Sequence, residues 1–365
     1  MKILYVITSL RTGGAEKLVV DLTKKLRSLG HQVDVALLDG YQTEFKKDLA
    51  QTGCKIYSLA TGKGYYSGYG WAMYSPRRIF QLARIMKGYD IVHTHNSSPQ
   101  FFAAMAHLFS GKPKLVTTEH NTTNSRRNKK WFLPLDRWMY NRYKIVICIS
   151  RQAYSNLVSY LGRSKAQIKT ILNGVDIDRL RNASAIDGFK SSSSVFAVTM
   201  VSAFRPQKDQ ATLLKAMALL PEEFELFLVG DGETRQQMEK LASDLGLGSR
   251  VHFTGNRNDV PQVLKSSDVI VMSSHYEGLS LSSIEGMAVG KPFVASDVDG
   301  LHEIVEGAGI LVPHQDEKSL AEVLLRLRED TSYAGQVAAS CMDRARQYDF
   351  SKMAEAYLEV YESLF

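Results

Sequence analysis

The sequence predicts an α/β protein built from two Rossmann-like domains. Short apolar runs alternate with longer amphipathic segments, which is typical of a parallel sheet with helices on both faces. The alternation occurs before and after Asp187–Ser194, a predicted hinge that contains Gly188 and four serines. A chain of 365 residues is long enough for two domains of ordinary size. We therefore predict a first domain over residues 1–187 and a second over residues 188–351.

Apolar runs predict the strands of each domain. In the first domain they lie at Ile3–Thr8, Val33–Leu38, Ile56–Leu59, Ile91–Thr94, Lys114–Thr118, Ile145–Ile149 and Ile168–Leu172. In the second they lie at Val195–Ser202, Glu225–Val229, Val251–Phe253, Val269–Met272, Pro292–Ala295 and Gly309–Val312. Helical periodicity is found between them, as in Ala15–Leu29, and in an amphipathic last segment, Lys352–Phe365.

The net charge of +7 conceals an asymmetry between the two halves of the chain. Residues 1–190 carry 30 Lys and Arg against 12 Asp and Glu, whereas residues 191–365 carry 15 against 26. A basic half could bind nucleic acid or an anionic membrane surface. No nucleic-acid-binding motif is present, so we expect no nucleic acid partner and favour the membrane. The alternative is a charge split that only helps the two halves to face each other.

The cysteines and the apolar runs indicate the compartment. Cys54, Cys148 and Cys341 are odd in number and far apart, which favours core thiols in a reducing compartment over a disulfide set or a zinc site. The first ten residues do not resemble a signal peptide, and no window approaches about 20 uninterrupted apolar residues. We therefore expect a cytoplasmic protein, with peripheral contact to the inner face of the cell membrane as a further expectation.

Two carboxylates, Glu277 and Glu285, follow the predicted strand that ends at Met272. On one straight helix this spacing would set them about 80° apart. We predict instead that Glu277 lies in the loop and Glu285 in the next helix, which Ser280 or Ser282 would cap.

The free N–H groups of such a helix would face the carboxyl end of the sheet, where an anionic ligand binds. Amides suit a diphosphate, and carboxylates suit the hydroxyls of a ribose or a sugar. The stretch therefore indicates a nucleotide-sugar site. The alternative is that both acids are solvated charges at helix ends.

Residues 277–305, EGLSLSSIEGMAVGKPFVASDVDGLHEIV, resemble the signature of glycosyltransferase family 4. The family pattern is Glu, seven residues, Glu, then a Gly-Lys-Pro turn and a further strand, and all three parts occur here in order. Other segments similar to the family are GGAE at 13–16, TEH at 118–120, NGVD at 173–176, FRPQKD at 204–209 and VGDG at 229–232. The resemblance covers nearly the whole chain.

The resemblance implies the GT-B fold, in which two Rossmann-like domains face a central cleft. It also implies that the C-terminal helix, here 352–365, crosses back onto the first domain. The implied activity is that of a retaining, hexosyltransferase-type enzyme with no dedicated protein nucleophile. No Asp-x-Asp motif occurs in a plausible place, so we expect no essential metal and no other cofactor.

For the donor, the resemblance implies that Glu277 contacts the sugar or its departing oxygen and that Glu285 binds the ribose. The residues between them that are implied to bind the donor are Gly278, Leu279, Ser280, Leu281 and Ser282.

At the base end, Gly230 and Asp231 end a strand and are expected to approach the nucleotide. Asn256 and Arg257 follow the next strand and resemble the family segment beside the base. Without the resemblance, each of these glycine turns is better explained as a structural turn that binds no ligand.

Gly13 and Gly14 follow the first strand and open the first helix, where glycine allows a ligand to come close to the backbone. The resemblance implies that they face the donor diphosphate and the reacting sugar across the cleft. The alternative is a tight turn that needs no ligand. The third glycine of the dinucleotide fingerprint is missing, which argues against NAD.

A phosphate leaving group needs a cation to offset its growing charge, and Lys208 fits this role. In the family an Arg typically follows a Gly five residues before this Lys, but this chain has Ser202-Ala203 there. Arg205 either supplies the missing guanidinium from another backbone position or points to solvent.

Three histidines, His93, His95 and His120, fall at the carboxyl ends of first-domain strands. His120 matches the family histidine that contacts the donor sugar, where a neutral imidazole could accept a hydrogen bond. His93 and His95 share one face of their strand. They suit buried, hydrogen-bonded histidines better than a zinc pair, because no third ligand is evident.

Two segments combine aromatic and basic residues, as a membrane headgroup interface does. Residues 63–80 contain five aromatics before Pro76, followed by Arg77 and Arg78, and residues 126–142 contain Trp131, Phe132, Trp138 and Tyr140 among basic residues. They could hold a glycan or polyprenyl-diphosphate-linked acceptor at the membrane. The alternative is a local core patch with basic rims.

We therefore expect a retaining glycosyltransferase that moves a sugar from a UDP- or GDP-sugar to a hydroxyl of a lipid-linked glycan or surface-polysaccharide precursor. Two alternatives stay open, a GT-B-fold sugar-nucleotide epimerase and a non-catalytic nucleotide-sugar-binding module. Fold alone does not choose between them.

Overall fold

The computed structural model of the chain describes residues 1–11, 13–60, 75–120, 127, 129–162 and 164–365. These residues form two compact units, the first comprising Met1–Asn173 with Lys352–Phe365 and the second comprising Gly174–Ser351. Each unit contains one parallel sheet flanked by helices. The predicted class, α/β with two Rossmann-like domains, is confirmed.

The first unit has a seven-stranded sheet in the order β3-β2-β1-β4-β5-β6-β7. Its strands are β1 (Lys2–Ile7), β2 (Gln32–Leu37), β3 (Ile56–Ser58), β4 (Ile91–His95), β5 (Lys114–Glu119), β6 (Ile145–Cys148) and β7 (Gln167–Thr170). Its helices before the boundary are α1 (Gly14–Ser28), α2 (Glu44–Gln51), α3 (Pro76–Met86), α4 (Ser97–Ser110), α5 (Leu133–Tyr140) and α6 (Arg151–Leu161).

The second unit has a six-stranded sheet in the order β10-β9-β8-β11-β12-β13. Its strands are β8 (Phe196–Val201), β9 (Phe224–Val229), β10 (Val251–Gly255), β11 (Val269–Met272), β12 (Phe293–Ser296) and β13 (Ile310–Val312). Its helices are α7 (Ile177–Arg181), α8 (Gln210–Ala218), α9 (Arg235–Asp244), α10 (Val260–Ser266), α11 (Leu281–Ala288), α12 (Leu301–Val305), α13 (Glu317–Glu329) and α14 (Thr331–Ala345).

All thirteen predicted strands are present, with ends that differ by at most two residues from the predicted ones. They could be predicted because a strand covered on both faces is apolar throughout rather than alternating. In β1, for example, every residue except Lys2 is buried. Helices on both faces of each sheet supply the rest of the two cores.

Each sheet reverses its winding at one place, between β1 and β4 in the first unit and between β8 and β11 in the second. In open parallel sheets ligands bind beyond the carboxyl ends of the strands at such a reversal, because the two flanking loops diverge there. The residues that follow β8 and β11 are therefore where a ligand of the second unit is expected.

The last helix, α15 (Phe350–Glu362), lies in the first unit from Lys352 onward. Its Tyr357 and Tyr361 are fully buried. The Tyr361 hydroxyl lies 3.1 Å from the Tyr5 hydroxyl on β1 and 2.6 Å from His93 Nδ1 on β4. The C-terminus is thus tied to the centre of the first sheet by buried hydrogen bonds.

The boundary between the units differs from the predicted one. Residues 174–187, which the sequence placed in the first domain, belong to the second unit. The segment expected to be a hinge is bonded to this unit, since Lys190 pairs with Asp268 at 2.9 Å. Directly before the segment, Ile186 N donates to Ser266 Oγ at 2.7 Å. A stretch rich in Gly and Ser can also be a well-bonded loop, so its composition alone does not place a boundary between units.

In the part of the chain that the structure describes, no helix combines the length and the apolar character needed to cross a membrane.

Candidate active site

Two side chains meet beyond the carboxyl ends of β8 and β11. Lys208 follows β8 and Glu277 follows β11, and Lys208 Nζ lies 2.5 Å from Glu277 Oε1. The Ser274 hydroxyl donates to the same oxygen at 2.6 Å. The two side chains are 18% and 7% exposed, so the pair is largely desolvated. The sequence predicted both charged groups but not the hydroxyl that orients the carboxylate.

The loops that carry this pair are joined through their backbones. The amide of His275 donates to Gln207 O at 2.8 Å, and the side-chain amide of Gln207 donates to Tyr276 O at 2.8 Å. Lys208 ends a short 3-10 turn, Pro206–Lys208. These bonds fix the distance between the two loops, and therefore between the ammonium and the carboxylate.

Gly300, which sequence reasoning missed, supports the Glu277 loop from the other side. A Cβ on Gly300 would lie 2.3 Å from Glu277 O and 2.4 Å from Gly278 O, and its φ of +83° favours glycine. Glu277 N donates to Asp299 O at 3.2 Å. Only a residue without a side chain fits this close approach. The signal in the sequence was the position of Gly300 in the loop after β12, which is the strand that follows Glu285.

Helix α11 begins beside the Lys208–Glu277 pair. Ser280 is its N-cap, and Ser280 Oγ accepts from Ser283 N at 3.3 Å, whereas Ser282 lies inside the helix. Glu277 is in the loop and Glu285 is in the helix, as predicted; Glu285 is half-buried. The serine that caps the helix is thus the first of the two candidates.

The amides before and at the start of α11 have no acceptor among the described residues. This holds for five consecutive backbone N–H groups, those of residues 278–282. Buried or half-buried amides normally have a partner, because an unpaired one costs free energy. A row of them at a helix start, next to an ammonium, is suited to bind an anion with several oxygens.

The glycine turn after β9 is explained by contact within the protein. A Cβ on Gly230 would lie 2.1 Å from Ser202 O, and one on Gly232 would lie 2.3 Å from Phe204 O. Phe204 N donates to Asp231 O at 3.0 Å. These glycines allow the turn to pack against the loop that leads to Lys208. Their direct contact with a nucleotide stays a prediction.

The other residues predicted near the base are on the surface of the second unit. The Asp231 side chain is exposed and accepts from Gly232 N at 2.7 Å. Asn256 is exposed, and the guanidinium of Arg257 makes two bonds to Asp259, at 2.8 and 2.5 Å. Arg257 therefore already has a carboxylate partner, which limits what its guanidinium can offer a ligand.

Arg205 is exposed, and its guanidinium makes no hydrogen bond or ion pair with the described residues. Its exposure agrees with a side chain that points to solvent, and its role as a replacement guanidinium toward a donor stays a prediction. Lys208 is the cation held at the carboxyl edge of this sheet.

In the first unit, α1 begins at Gly14 with Gly13 as its N-cap. The φ of Gly13 is 179°, which any residue can adopt, so backbone strain does not explain this glycine. The Glu16 side chain folds over it instead, and a Cβ on Gly13 would lie 2.2 Å from Glu16 Oε2. Burial raises the pKa of the Glu16 carboxyl. The turn is tight, and its role toward a donor stays a prediction.

The three predicted histidines form one cluster. The rings of His93 and His95 stack at 4.4 Å, which confirms that they share a face of β4. His95 Nδ1 lies 3.0 Å from His120 Nε2, and His93 Nε2 lies 2.8 Å from Thr118 Oγ1. The other ring nitrogen of His93, Nδ1, is hydrogen-bonded to the Tyr361 hydroxyl. Both nitrogens of His93 therefore have partners, and neither is free to bind a metal ion.

Burial sets the charge of this cluster. It lowers the pKa of His120 to about 4 and the pKa values of His93 and His95 well below the usual range. All three imidazoles are therefore neutral at pH 7. A neutral His120 can accept a hydrogen bond, which is the state that the sequence interpretation required.

The predicted aromatic-basic surface lies only partly within the described residues. Residues 63–74, 126 and 128 of its two segments are outside them. Trp131 is 70% exposed and stacks on Phe132. Tyr140, in contrast, is buried and hydrogen-bonds to Glu119, and Trp138 packs against the core. These last two were wrongly assigned to a headgroup interface, because on α5 they face the core.

Comparison with known families covers most of the chain. Residues 12–179 match the family described as Glycosyltransferase Family 4, and residues 187–347 match Glycosyl transferases group 1. The lipopolysaccharide core biosynthesis glycosyltransferase LpsE of Rhizobium meliloti is 31% identical over 232 residues, which are 62% of this chain and 67% of that protein. The UDP-Gal:alpha-D-GlcNAc-diphosphoundecaprenol alpha-1,3-galactosyltransferase of Escherichia coli is 29% identical over 276 residues, 70% of each chain.

Solved structures agree with this. Anabaena HepE in complex with UDP is similar over 100% of both chains, with a TM-score of 0.84 and 25% identity. The same protein with UDP-glucose gives a TM-score of 0.83 at 25% identity over 100% of both chains. Two doubly wound α/β units of this kind define the GT-B class of glycosyltransferases. The chain belongs to glycosyltransferase family 4.

Proposed function

We propose that this glycosyltransferase transfers a hexose, with retention of configuration, from a nucleoside diphosphate sugar to a hydroxyl of a lipid-linked glycan or polysaccharide precursor. One observation carries the proposal: five amides, those of residues 278–282, have no acceptor within the described part of the chain and lie beside the Lys208–Glu277 pair, where the second sheet reverses its winding. Family membership supplies the reaction class.

The second unit is proposed to bind the donor. The amides of residues 278–282 and the Lys208 ammonium would bind the diphosphate, because both favour negative charge and an ammonium has three donors. Glu277 would then accept from a sugar hydroxyl and Glu285 from the ribose. The UDP and UDP-glucose bound to HepE favour a UDP-sugar over a GDP-sugar.

The same groups would stabilise the leaving group. Negative charge accumulates on the diphosphate as the sugar bond breaks, and donors fixed before the reaction need no reorganisation to offset it. Retention follows if the departing diphosphate oxygen takes the proton of the acceptor hydroxyl on the same face of the sugar. In this scheme Lys208 and the amides act without a metal on the diphosphate.

The first unit is proposed to act on the sugar and the acceptor. His120 is neutral, so it can accept a hydrogen bond from a sugar hydroxyl. Gly13 and Gly14 are proposed to let the donor come close to the start of α1. The E. coli relative is named for a diphosphoundecaprenol acceptor, which favours a polyprenyl-diphosphate-linked acceptor here.

A surface of the first unit is suited to a membrane carrying such an acceptor. Phe80 on α3 and Phe109 on α4 are 55% and 49% exposed, and their rings lie 4.7 Å apart. Arg77 and Arg84, both exposed, lie three residues before and four residues after Phe80 on the same face of α3. Exposed aromatic rings between basic side chains favour an anionic headgroup region.

The function is tested by nucleotide release. UDP- and GDP-sugars are first screened by thermal shift, since a ligand that binds the folded state raises its Tm. The best donor is then incubated with and without a polyprenyl-diphosphate-linked glycan, and free nucleoside diphosphate is measured. Release that requires the acceptor supports the proposal. Epimerised donor without release would instead identify an epimerase, and binding without any turnover would identify a binding module.

A further inference from the structure

We propose that Asp209, His275 and His314 form a binding site for a borderline transition cation such as Zn²⁺ in the second unit. One potential ligand atom of each residue lies within 4.8 Å of those of the other two. His275 Nδ1 is central, at 2.8 Å from His314 Nε2 and 3.6 Å from Asp209 Oδ2. The site rests on these three side chains and not on the proposed reaction.

The three ligands come from three separate loops at one edge of the sheet. Asp209 precedes α8, His275 follows β11, and His314 follows β13. Asp209 is 8% exposed, while the other two are half-buried and exposed, respectively. This gradient gives a site that is anchored in the unit and open on one side, so an ion can enter and keep a water ligand.

The carboxylate of Asp209 is already oriented by its neighbours. Asp209 Oδ1 accepts from Thr212 N at 3.3 Å, and Oδ2 accepts from Thr212 Oγ1 at 2.7 Å. The Ser273 hydroxyl donates to the backbone oxygen of Asp209 at 2.9 Å. Hydrogen bonds to a ligating carboxylate are what fixes a metal ligand in place, and Oδ2 keeps a lone pair for the ion.

The ligand set selects the class of cation. Two imidazoles and one carboxylate suit Zn²⁺ and its neighbours in the transition series, whereas Mg²⁺ and Ca²⁺ prefer oxygen ligands only. Tetrahedral Zn²⁺ with Zn–N bonds of about 2.0–2.1 Å sets two ligand nitrogens about 3.3 Å apart. The present separation of 2.8 Å between His275 Nδ1 and His314 Nε2 needs a small opening, which the exposed His314 ring can provide.

A cation at this place would clamp the loops that carry the Lys208–Glu277 pair. Asp209 directly follows Lys208, and His275 lies two residues before Glu277. The ion would add to the two hydrogen bonds that already join these loops at Gln207, one through its backbone oxygen and one through its side-chain amide. Its role is therefore that of a structural cation, separate from the metal-free binding of diphosphate proposed above.

Metal content tests the site directly. The full-length protein is stripped with a chelator, dialysed against Zn²⁺ alone, and analysed for bound zinc by mass spectrometry. We expect about one ion per chain in the wild type, and at least tenfold weaker binding in His314→Ala and in His275→Ala. His302→Ala is the matched control, because His302 is an exposed histidine beside two carboxylates, Asp297 at 2.6 Å and Glu306 at 3.3 Å. It should retain full binding.

A second measurement keeps the result independent of folding defects. Co²⁺ replaces Zn²⁺ in such sites, and His₂-carboxylate coordination gives visible ligand-field bands that should be present in the wild type and in His302→Ala but absent in His314→Ala. His314 is exposed, so its loss leaves the packing intact, and unchanged circular dichroism verifies this. Equal zinc binding by His314→Ala, or no binding by the wild type at 100-fold molar excess of Zn²⁺, would overturn the proposal.

Discussion

Lys208 and Glu277 form an ion pair at the carboxyl edge of the second sheet, with 2.5 Å between Nζ and Oε1. A second Lys–carboxylate pair, Lys190–Asp268 at 2.9 Å, lies where the chain enters β8 and β11, at the opposite ends of the same two strands. Chemically the pairs are alike. Among the residues that the structure describes, only the first pair has a row of backbone amides without acceptors beside it, at the start of α11.

This difference predicts the effect of removing each lysine. Lys208→Ala should lower kcat/KM about tenfold to 150-fold, because a hydrogen bond to a charged group contributes about 1.5–3 kcal/mol. Lys190→Ala should leave kcat/KM within about twofold. Steady-state kinetics of acceptor-dependent nucleotide release measures both variants. Equal losses in the two would remove Lys208 from any special role.

Gly300 provides a second test of the Glu277 loop. Gly300→Ala should lower kcat/KM at least tenfold more than Gly307→Ala. The two glycines have similar positive φ values, +83° and +72°, so both variants pay a similar backbone cost of about 1–2 kcal/mol. Only at Gly300 would the new Cβ meet Glu277 O, at 2.3 Å; at Gly307 the nearest atom is 3.9 Å away, on Arg344.

The comparison of these two variants isolates the position of the loop from general strain. The kinetics of both variants should be measured at a temperature at which thermal melting shows the same folded fraction, so that a difference in kcat/KM does not come from unfolding. If both variants kept the same kcat/KM, the close packing of Gly300 against Glu277 would not matter for turnover.

The sheets could be predicted from sequence because short continuous apolar runs between helical segments are typical of buried parallel strands. The residues of the Lys208–Glu277 pair could also be predicted, since each follows a predicted strand, β8 or β11, and lies in a segment that resembles a known family. Ser274, Gly300 and the Asp209–His275–His314 cluster could not. Gly300 and the cluster depend on contacts between loops far apart in sequence, which no local pattern reports. Ser274 lies only three residues before Glu277, but the spacing alone does not show that its hydroxyl turns to the carboxylate.

Two differences between the predictions and the structure have a similar cause. Tyr140 and Trp138 were assigned to the surface because they stand among basic residues, but helix α5 turns them toward the core. The boundary near residue 187 was predicted from composition, whereas hydrogen bonds such as that from Ile186 N to Ser266 Oγ decide which unit the segment joins.

The C-terminal helix should stabilise the first unit through Tyr361. Tyr361→Phe removes the hydroxyl that contacts His93 Nδ1 and Tyr5, and leaves a buried nitrogen without its partner. We expect a loss of about 1–3 kcal/mol in the free energy of unfolding. Tyr154→Phe, at a residue 38% exposed on α6, is the control and should change it by less than about 0.5 kcal/mol.

Tryptophan fluorescence during urea unfolding measures this effect, because all three tryptophans lie between residues 1 and 173. The signal therefore reports the first unit. A Tyr361→Phe curve that superimposes on the wild type would show that the buried hydroxyl bonds do not hold the helix.

The buried histidines predict that acid destabilises the first unit. The folded pKa of His120 is about 4, and those of His93 and His95 are also lowered, whereas an unfolded histidine has a pKa of about 6.5. Between about pH 6.5 and 4 the unfolded chain therefore binds more protons, so stability is complete above 6.5 and is lost as the pH falls toward 4. Asp39 has the opposite effect on stability. Burial raises its pKa to about 6 in the folded protein, so the folded state binds more protons than the unfolded chain as the pH falls below about 6.

His120→Gln separates the two contributions. The urea midpoint of the wild type should fall between pH 7.5 and pH 5, and it should fall less in His120→Gln, which retains Asp39. A midpoint that stays constant, or that falls equally in both proteins, would mean that His120 is not held neutral by burial.

The Phe80–Phe109 surface should bind anionic vesicles. Phe80→Ser with Phe109→Ser should weaken binding to phosphatidylglycerol-containing vesicles at least tenfold, since two exposed rings that would insert among the lipids are lost. Leu219→Ser is the control, an equally exposed apolar residue (54%) in the acidic half of the chain. Co-sedimentation at low and high salt measures the effect; wild-type protein that stays in the supernatant at low salt would rule out this surface.

The central claim is that the amides of residues 278–282 and the Lys208 ammonium bind the donor diphosphate. A crystal structure with the UDP- or GDP-sugar that gives the largest thermal shift tests it most directly. We predict diphosphate oxygens within about 3.2 Å of at least two of these amides and of Lys208 Nζ, with Glu277 turned to a sugar hydroxyl. A diphosphate bound elsewhere, with the Lys208–Glu277 pair unchanged, would contradict the account.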